Sequence, residues 1–105
     1  MIFELRTYTA KPGRMGDFLK LYEAEALPLQ QKYLGGLVGF YTSEIGPLNQ
    51  IVHLWRYASL ADREQRRNAL EADPAWNVYR EHYRELAAIH EQDSKILKPT
   101  AFSPT

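Results

Sequence analysis

Arg6, Tyr8, His53 and Trp55 are the side chains whose types and spacing in this sequence could do chemistry. They fall in two runs, Phe3-Glu4-Leu5-Arg6-Thr7-Tyr8 and Ile51-Val52-His53-Leu54-Trp55-Arg56-Tyr57, that alternate with period two. Residues two apart on a strand point to the same side. Arg6 offers a fixed fork of donors for a carboxylate or phosphate. His53 could carry a proton near neutral pH. Tyr8 and Trp55 supply flat apolar walls, each with one polar handle. Such a mix suits a small planar molecule, acidic or aromatic. Arg6, Tyr8, His53 and Trp55 are therefore the predicted ligand-binding set, with His53, Arg6 and Tyr8 as candidates for catalysis. The plainer alternative is a filled interface, where Glu4 pairs with Arg6 or a neighbour and His53 is a satisfied buried histidine.

Other chemically active side chains read as structural. His82 and Glu85 are three apart on a predicted helix, with Glu81, His90 and Glu91 nearby, but a metal site needs at least one more ordered ligand. No metal is predicted. Arg63, Arg66 and Arg67 with Glu64 and Glu71 read as a solvated helical face paired at four-residue spacing, with the alternative of a salt bridge from this helix to the sheet or a partner. Trp76, Tyr79 and Tyr83 follow core spacing, while Tyr22 and Tyr41 qualify as pocket walls by type alone. Gly35-Gly36 lacks the helix and lysine of a phosphate loop, and nothing fixes a Ser–His–Asp set together.

The elements that must position these residues follow from periodicity. A first strand over 2–10 stops at Lys11-Pro12-Gly13. Met15, Phe18, Leu19, Tyr22 and Ala26 then form a helical stripe. Pro28 predicts a kink or break, with a second helical piece to Leu34 capped by Gly35-Gly36. Leu37–Ile45, a turn at 46–49 and Gln50–Tyr57 predict an antiparallel hairpin. Ser59 and Asp62 mark the start of a helix to about Ala72. Asp73-Pro74 starts another, with Trp76, Tyr79, Tyr83, Leu86 and Ile89 or His90 as its buried stripe. Ser94–Leu97 is a short fourth strand. The resulting order predicts an α+β, ferredoxin-like split β-α-β subunit with strands one and three central.

At 105 residues the chain is one domain, 1–105, with a core of about 2–99 and a short tail at 100–105. Thirteen basic side chains balance thirteen acidic ones, which gives no general attraction to nucleic acid or an anionic membrane. With no cysteine, disulfides, thiolate catalysis and sulfur-ligated clusters are excluded. No apolar run approaches a membrane span and no leader precedes Ile2, so a cytoplasmic protein is expected.

The helices are expected to cover the more aliphatic side: Phe3, Leu5 and Thr7 with Val52 and Leu54. Glu4, Arg6 and Tyr8 would then share the opposite face with Ile51, His53, Trp55 and Tyr57. Soluble monomers rarely leave such an aromatic patch bare. A second copy, pairing sheet to sheet in a two-fold homodimer, is the expected cover.

Glu-Leu-Arg-Thr-Tyr at 4–8 with Lys11-Pro12-Gly13, the hairpin Gly46–Asn49 leading into Val52-His53-Leu54-Trp55-Arg56-Tyr57, and Arg63, Arg67 and Asp73-Pro74-Ala75-Trp76 together resemble NIPSNAP-family domains. The resemblance runs from Ile2 to Pro99. It implies a dimeric α+β barrel, two ferredoxin-like subunits whose sheets close on each other, and supplies no settled activity. Two function classes fit. One is a protein that binds a small acidic or aromatic molecule or serves as a non-catalytic dimeric module. The other, by analogy with the fold alone, is a cofactor-independent oxygenase- or isomerase-like enzyme. No cofactor is predicted.

Overall fold

The computed structural model describes residues Met1–Thr105. Four strands, β1 (Ile2–Ala10), β2 (Leu37–Thr42), β3 (Gln50–Tyr57) and β4 (Ile89–Leu97), form one antiparallel sheet in the order β2-β3-β1-β4. This is the split β-α-β arrangement, with β1 and β3 central. Four helices complete it: α1 (Met15–Leu21), α2 (Leu27–Tyr33), α3 (Leu60–Ala72) and α4 (Pro74–Leu86). The molecule measures 40 × 37 × 18 Å, one helical layer on one sheet.

Local chemistry explains most boundaries. Ser59 Oγ accepts from the Asp62 amide at the start of α3, and Asp73 accepts from the Ala75 amide at the start of α4, where Pro74 takes the first helical position. Pro28 does not break its helix. It lacks the amide that would bond the carbonyl four residues back, and the chain widens upstream into a π-helical turn, Tyr22–Ala26, where the Leu27 amide bonds Tyr22. Gly35 then leaves the helix at φ 74°. Gly36 passes so close to β3 that a Cβ there would sit 2.1 Å from the Arg56 carbonyl oxygen.

Three expectations need correction. First, β2 ends at Thr42 rather than Ile45, because 43–49 form a wide connection in which Gly46 and Asn49 both take positive φ. Second, β4 begins at Ile89 rather than Ser94. Its run His90–Lys95 is polar and exposed, as suits an edge strand, so no alternation marks it. Ile89 and His90 accordingly belong to this strand and not to the α4 stripe.

The third correction concerns the faces. The helices cover Glu4, Arg6, Tyr8, Ile51, His53, Trp55 and Tyr57, the side expected to meet a second copy. Tyr8, Ile51, Trp55 and Tyr57 join one cluster with Phe18, Tyr22, Ala26, Leu70, Trp76 and Tyr79 from the helical layer. The inward stripes of the helices are themselves aromatic, so rings meet rings edge to face: Tyr8 on Phe18 at 5.9 Å and 75°, and Phe18 on Tyr83 at 6.4 Å and 77°. The buried carboxylate of Glu4 is matched by Arg63 from α3 and Ser94 from β4. The side left open is the aliphatic one, with Leu5, Thr7, Val52 and Leu54 half-buried and Tyr41 exposed. Phe3 alone on that side is buried; it shares a groove with Leu54 and tail residues Lys98–Thr100.

Candidate functional site

A cavity of about 250 Å3 lies between the helical layer and the covered side of the sheet. Arg6 and Tyr8 of β1 reach it from the floor. Tyr22, presented by the π-helical turn, and Gln30 of α2 close one wall, the tyrosine hydroxyl donating to the Gln30 side-chain oxygen. Trp76, Tyr79 and Tyr83 of α4 form the other, with the Trp76 and Tyr79 rings tilted at 37° and 5.0 Å apart. Arg67 and Glu71 of α3, Arg80 of α4 and Gln92 of β4 line the mouth.

Arg6 is held rigidly. Its Nη1 donates to Glu4 Oε2 at 3.0 Å and its Nε to the Tyr8 hydroxyl at 3.0 Å. Glu4, 1% exposed, accepts further bonds from Arg63 Nε at 2.9 Å, Arg63 Nη2 at 3.1 Å and Ser94 Oγ at 2.7 Å. Burial by itself would raise the Glu4 pKa, but the Arg63 and Ser94 hydrogen bonds and the charges of Arg6 and Arg63 overcome it and hold the carboxyl at about 2. Arg63 thus makes the anchoring contact to the sheet that its position on α3 left open. Arg66 instead bonds Asp62 and the Tyr33 and Leu34 carbonyls at the end of α2.

His53 and Trp55 stand behind this cavity and do not line it. His53 is fully buried and stacked on Phe40 at 4.6 Å, with Tyr8 edge-on at 4.9 Å. Trp55 Nε1 donates to His53 Nδ1 at 2.7 Å, which assigns the ring proton to Nε2. Burial first, and then the Arg6 charge, lower the His53 pKa to about 3. At neutral pH the ring is therefore uncharged, and its one basic nitrogen is occupied. Burial likewise pushes the Tyr22 and Tyr79 hydroxyls up, so both stay protonated.

Tyr41 projects from the open side, away from the cavity. His82 pairs with Glu25 Oε1 at 2.7 Å, tying α4 to the π-helical turn, and no group of three or more metal-ligating side chains forms. Sequence reasoning missed Arg67, Glu71, Arg80, Gln30 and Gln92. A signal did exist for Arg67: Arg63, Arg67 and Leu70 share one α3 stripe, and only Leu70 on that helix is fully buried. A stripe with two guanidiniums per leucine has to face something polar.

Fold and cavity define a two-layer, ferredoxin-like α+β domain with a guanidinium on the floor of an aromatic pocket. The chain belongs to the NIPSNAP family, whose model matches residues 3–104. It is 46% identical to a NIPSNAP family protein with unknown function from Agrobacterium tumefaciens, covering 99% of this chain and 92% of that one at a TM-score of 0.89. The Drosophila melanogaster protein NipSnap is 34% identical over 104 residues, 99% of this chain and 37% of that protein. The chain thus spans about a third of the length of the curated relatives it matches. An antibiotic biosynthesis monooxygenase-like protein from Nitrosomonas europaea shares the fold at a TM-score of 0.65 and 12% identity, covering 94% of this chain and 98% of that one. No helix is long and apolar enough to cross a membrane.

Proposed function

We propose that this NIPSNAP domain binds a small acidic or aromatic organic molecule in the cavity between its sheet and helices. The observation that carries the reading is Arg6, a guanidinium fixed by Glu4 and Tyr8 inside a pocket walled by aromatic rings. A preformed fork of donors beside aromatic rings suits a carboxylate on a flat ring. At about 250 Å3 the space falls just below the usual ligand-pocket range of roughly 300–1,000 Å3, which limits the guest to a compact molecule. Arg6 and Tyr8 touch it, while His53 and Trp55 form the rigid layer behind. Binding rather than turnover is supported, because the histidine nominated for proton transfer is sealed and uncharged at neutral pH.

The subunit also pairs with itself in this reading. One face of the sheet has no covering layer, and strands of six to nine residues across four positions present roughly 26 × 19 Å in outline. That outline is more than half of the ~800 Å2 per partner of a stable interface, before the relief of its side chains is counted. Leu5, Val52 and Leu54 at its centre match a second copy of themselves.

Thermal shift with benzoate tests the ligand reading. Excess benzoate should raise the melting temperature of the wild-type chain, while Arg6→Ala should lose the shift. If benzoate, benzyl alcohol and other single-ring compounds all leave the melting temperature unmoved, the reading fails.

A further inference from the structure

The cavity carries more positive charge than a single carboxylate needs. The chain as a whole is neutral, with thirteen charges of each sign. Arg6 is the floor's one lining charge, and it shares its carboxylate, Glu4, with Arg63 just outside the cavity, so that one anion is divided between two guanidiniums. At the mouth Arg67 and Arg80 stand with one carboxylate, Glu71, and none of the three enters an ion pair. Three guanidiniums, Arg6, Arg67 and Arg80, therefore line one small space that holds a single carboxylate, Glu71.

The hydroxyls repeat the pattern. Tyr8 Oη accepts from Arg6 Nε at 3.0 Å, so its own proton is free to donate. Tyr83 Oη accepts from Gln92 Nε2 at 2.6 Å, and its proton is free in the same way. The lining thus offers Arg6 with one tyrosine donor, Tyr8, and a second tyrosine donor, Tyr83, besides Arg67 and Arg80. Tyr22, Tyr79 and Trp76 add aromatic surface to the same lining.

Resting on the pocket reading above, we propose that the ligand is a compact aromatic ring bearing two acidic groups, one met by Arg6 and Tyr8 and the other by Arg67 and Arg80 beside Tyr83. A phosphate ester fits less well, because such groups are cradled by runs of backbone amides at glycine-rich loops or helix starts, and the lining here contains no glycine.

Binding of the full chain to phthalate, isophthalate, terephthalate, benzoate and inorganic phosphate would be measured by calorimetry, at low and at physiological salt. At least one dicarboxylate should bind tenfold or more tighter than benzoate, and the advantage should shrink with added salt. In Arg67→Ala/Arg80→Ala the dicarboxylate should lose its advantage over benzoate, both being measured in the same variant. In Arg6→Lys both should weaken, because the ammonium cannot reproduce the fork. Circular dichroism checks that each variant is folded. Should benzoate match every dicarboxylate, or the double variant keep the advantage, the two-anion inference is overturned and the pocket survives. Phosphate binding as tight as that of the dicarboxylates overturns it also. If none of the ring compounds binds, both readings fall together.

Discussion

Two buried titratable groups sit within a few ångströms of Arg6, and they make acid the enemy of this fold in two separable windows. His53 has its pKa lowered from 6.5 to about 3 by burial and by Arg6. The unfolded chain therefore takes up a proton below pH 6.5 that the folded one refuses, and stability drains as pH falls through that range. Between pH 7 and about pH 5 the loss should approach 2 kcal/mol, from about 1.4 kcal/mol for each unit below 6.5. Urea unfolding at the two pH values checks this, and His53→Phe should flatten the difference. An unchanged slope in that variant would mean the histidine is hydrated and free to titrate. His82, raised by its Glu25 hydrogen bond, works in the opposite direction in the same window, so His82→Gln is the necessary control. Glu4 acts lower. Its carboxyl is held at about 2 against 4.5, so its contribution is complete above pH 4.5 and is lost on the way to pH 2. Replacing it isolates the same interaction: Glu4→Gln leaves Arg6 and Arg63 facing each other without their shared anion, and should cost about 3 kcal/mol in denaturant unfolding at pH 7.

The elements show why some of this could be read from sequence and some could not. Both α3 and α4 announce themselves through Ser59 and Asp73, side chains that cap by their own local chemistry and depend on nothing distant. The central strands are equally plain, since β3 alternates in burial along its whole length and β1 from Thr7 to Ala10. What alternation does not say is which side faces inward. Glu4 and Arg6 looked too polar for a covered face, yet the partners of Glu4 arrive from far along the chain, Arg63 on α3 and Ser94 on β4, while His53 is bonded only by its neighbour Trp55 and keeps its buried Nε2 without a partner. Polar residues are cheap to bury once paired, and pairing across 59 or 90 residues leaves no local trace. Arg67 and Arg80 were hidden in the same way, as ordinary helix charges until α3 and α4 fold over one cavity. The glycine pair at 35–36 is a case where local and distant demands coincide. Gly35 takes the left-handed turn that was foreseen, and Gly36 is required by β3, because a Cβ would lie 2.1 Å from the Arg56 carbonyl. Gly36→Ala should destabilise by about 1–3 kcal/mol, the usual cost of overpacking, seen as a lower denaturation midpoint. A midpoint equal to wild type would show that β3 can move aside.

Taken as a whole the molecule is a slab, 18 Å thick, with chemistry on one side of its sheet and a bare aliphatic surface on the other. This separates two properties that looked inseparable when Arg6 and His53 were expected at the contact between copies. The cavity is complete within one chain, so self-association and ligand binding should respond to different substitutions. Leu54 lies on the open side, opposite Leu5 in the β1–β3 register. Leu54→Glu would set two carboxylates against an apolar partner face in any sheet-to-sheet pair and cost several kcal/mol of association. Sedimentation at micromolar concentration should give the wild-type chain about twice its 12.2 kDa mass and the variant a single copy. Benzoate should stabilise both alike, because Arg6 and Tyr8 are on the far side of the sheet. If Leu54→Glu dissociates the protein and abolishes the benzoate shift with it, the cavity is assembled by pairing after all. If the wild-type chain sediments alone, its aliphatic face is tolerated bare and the dimer reading is wrong, while the pocket, built entirely by one subunit, is untouched.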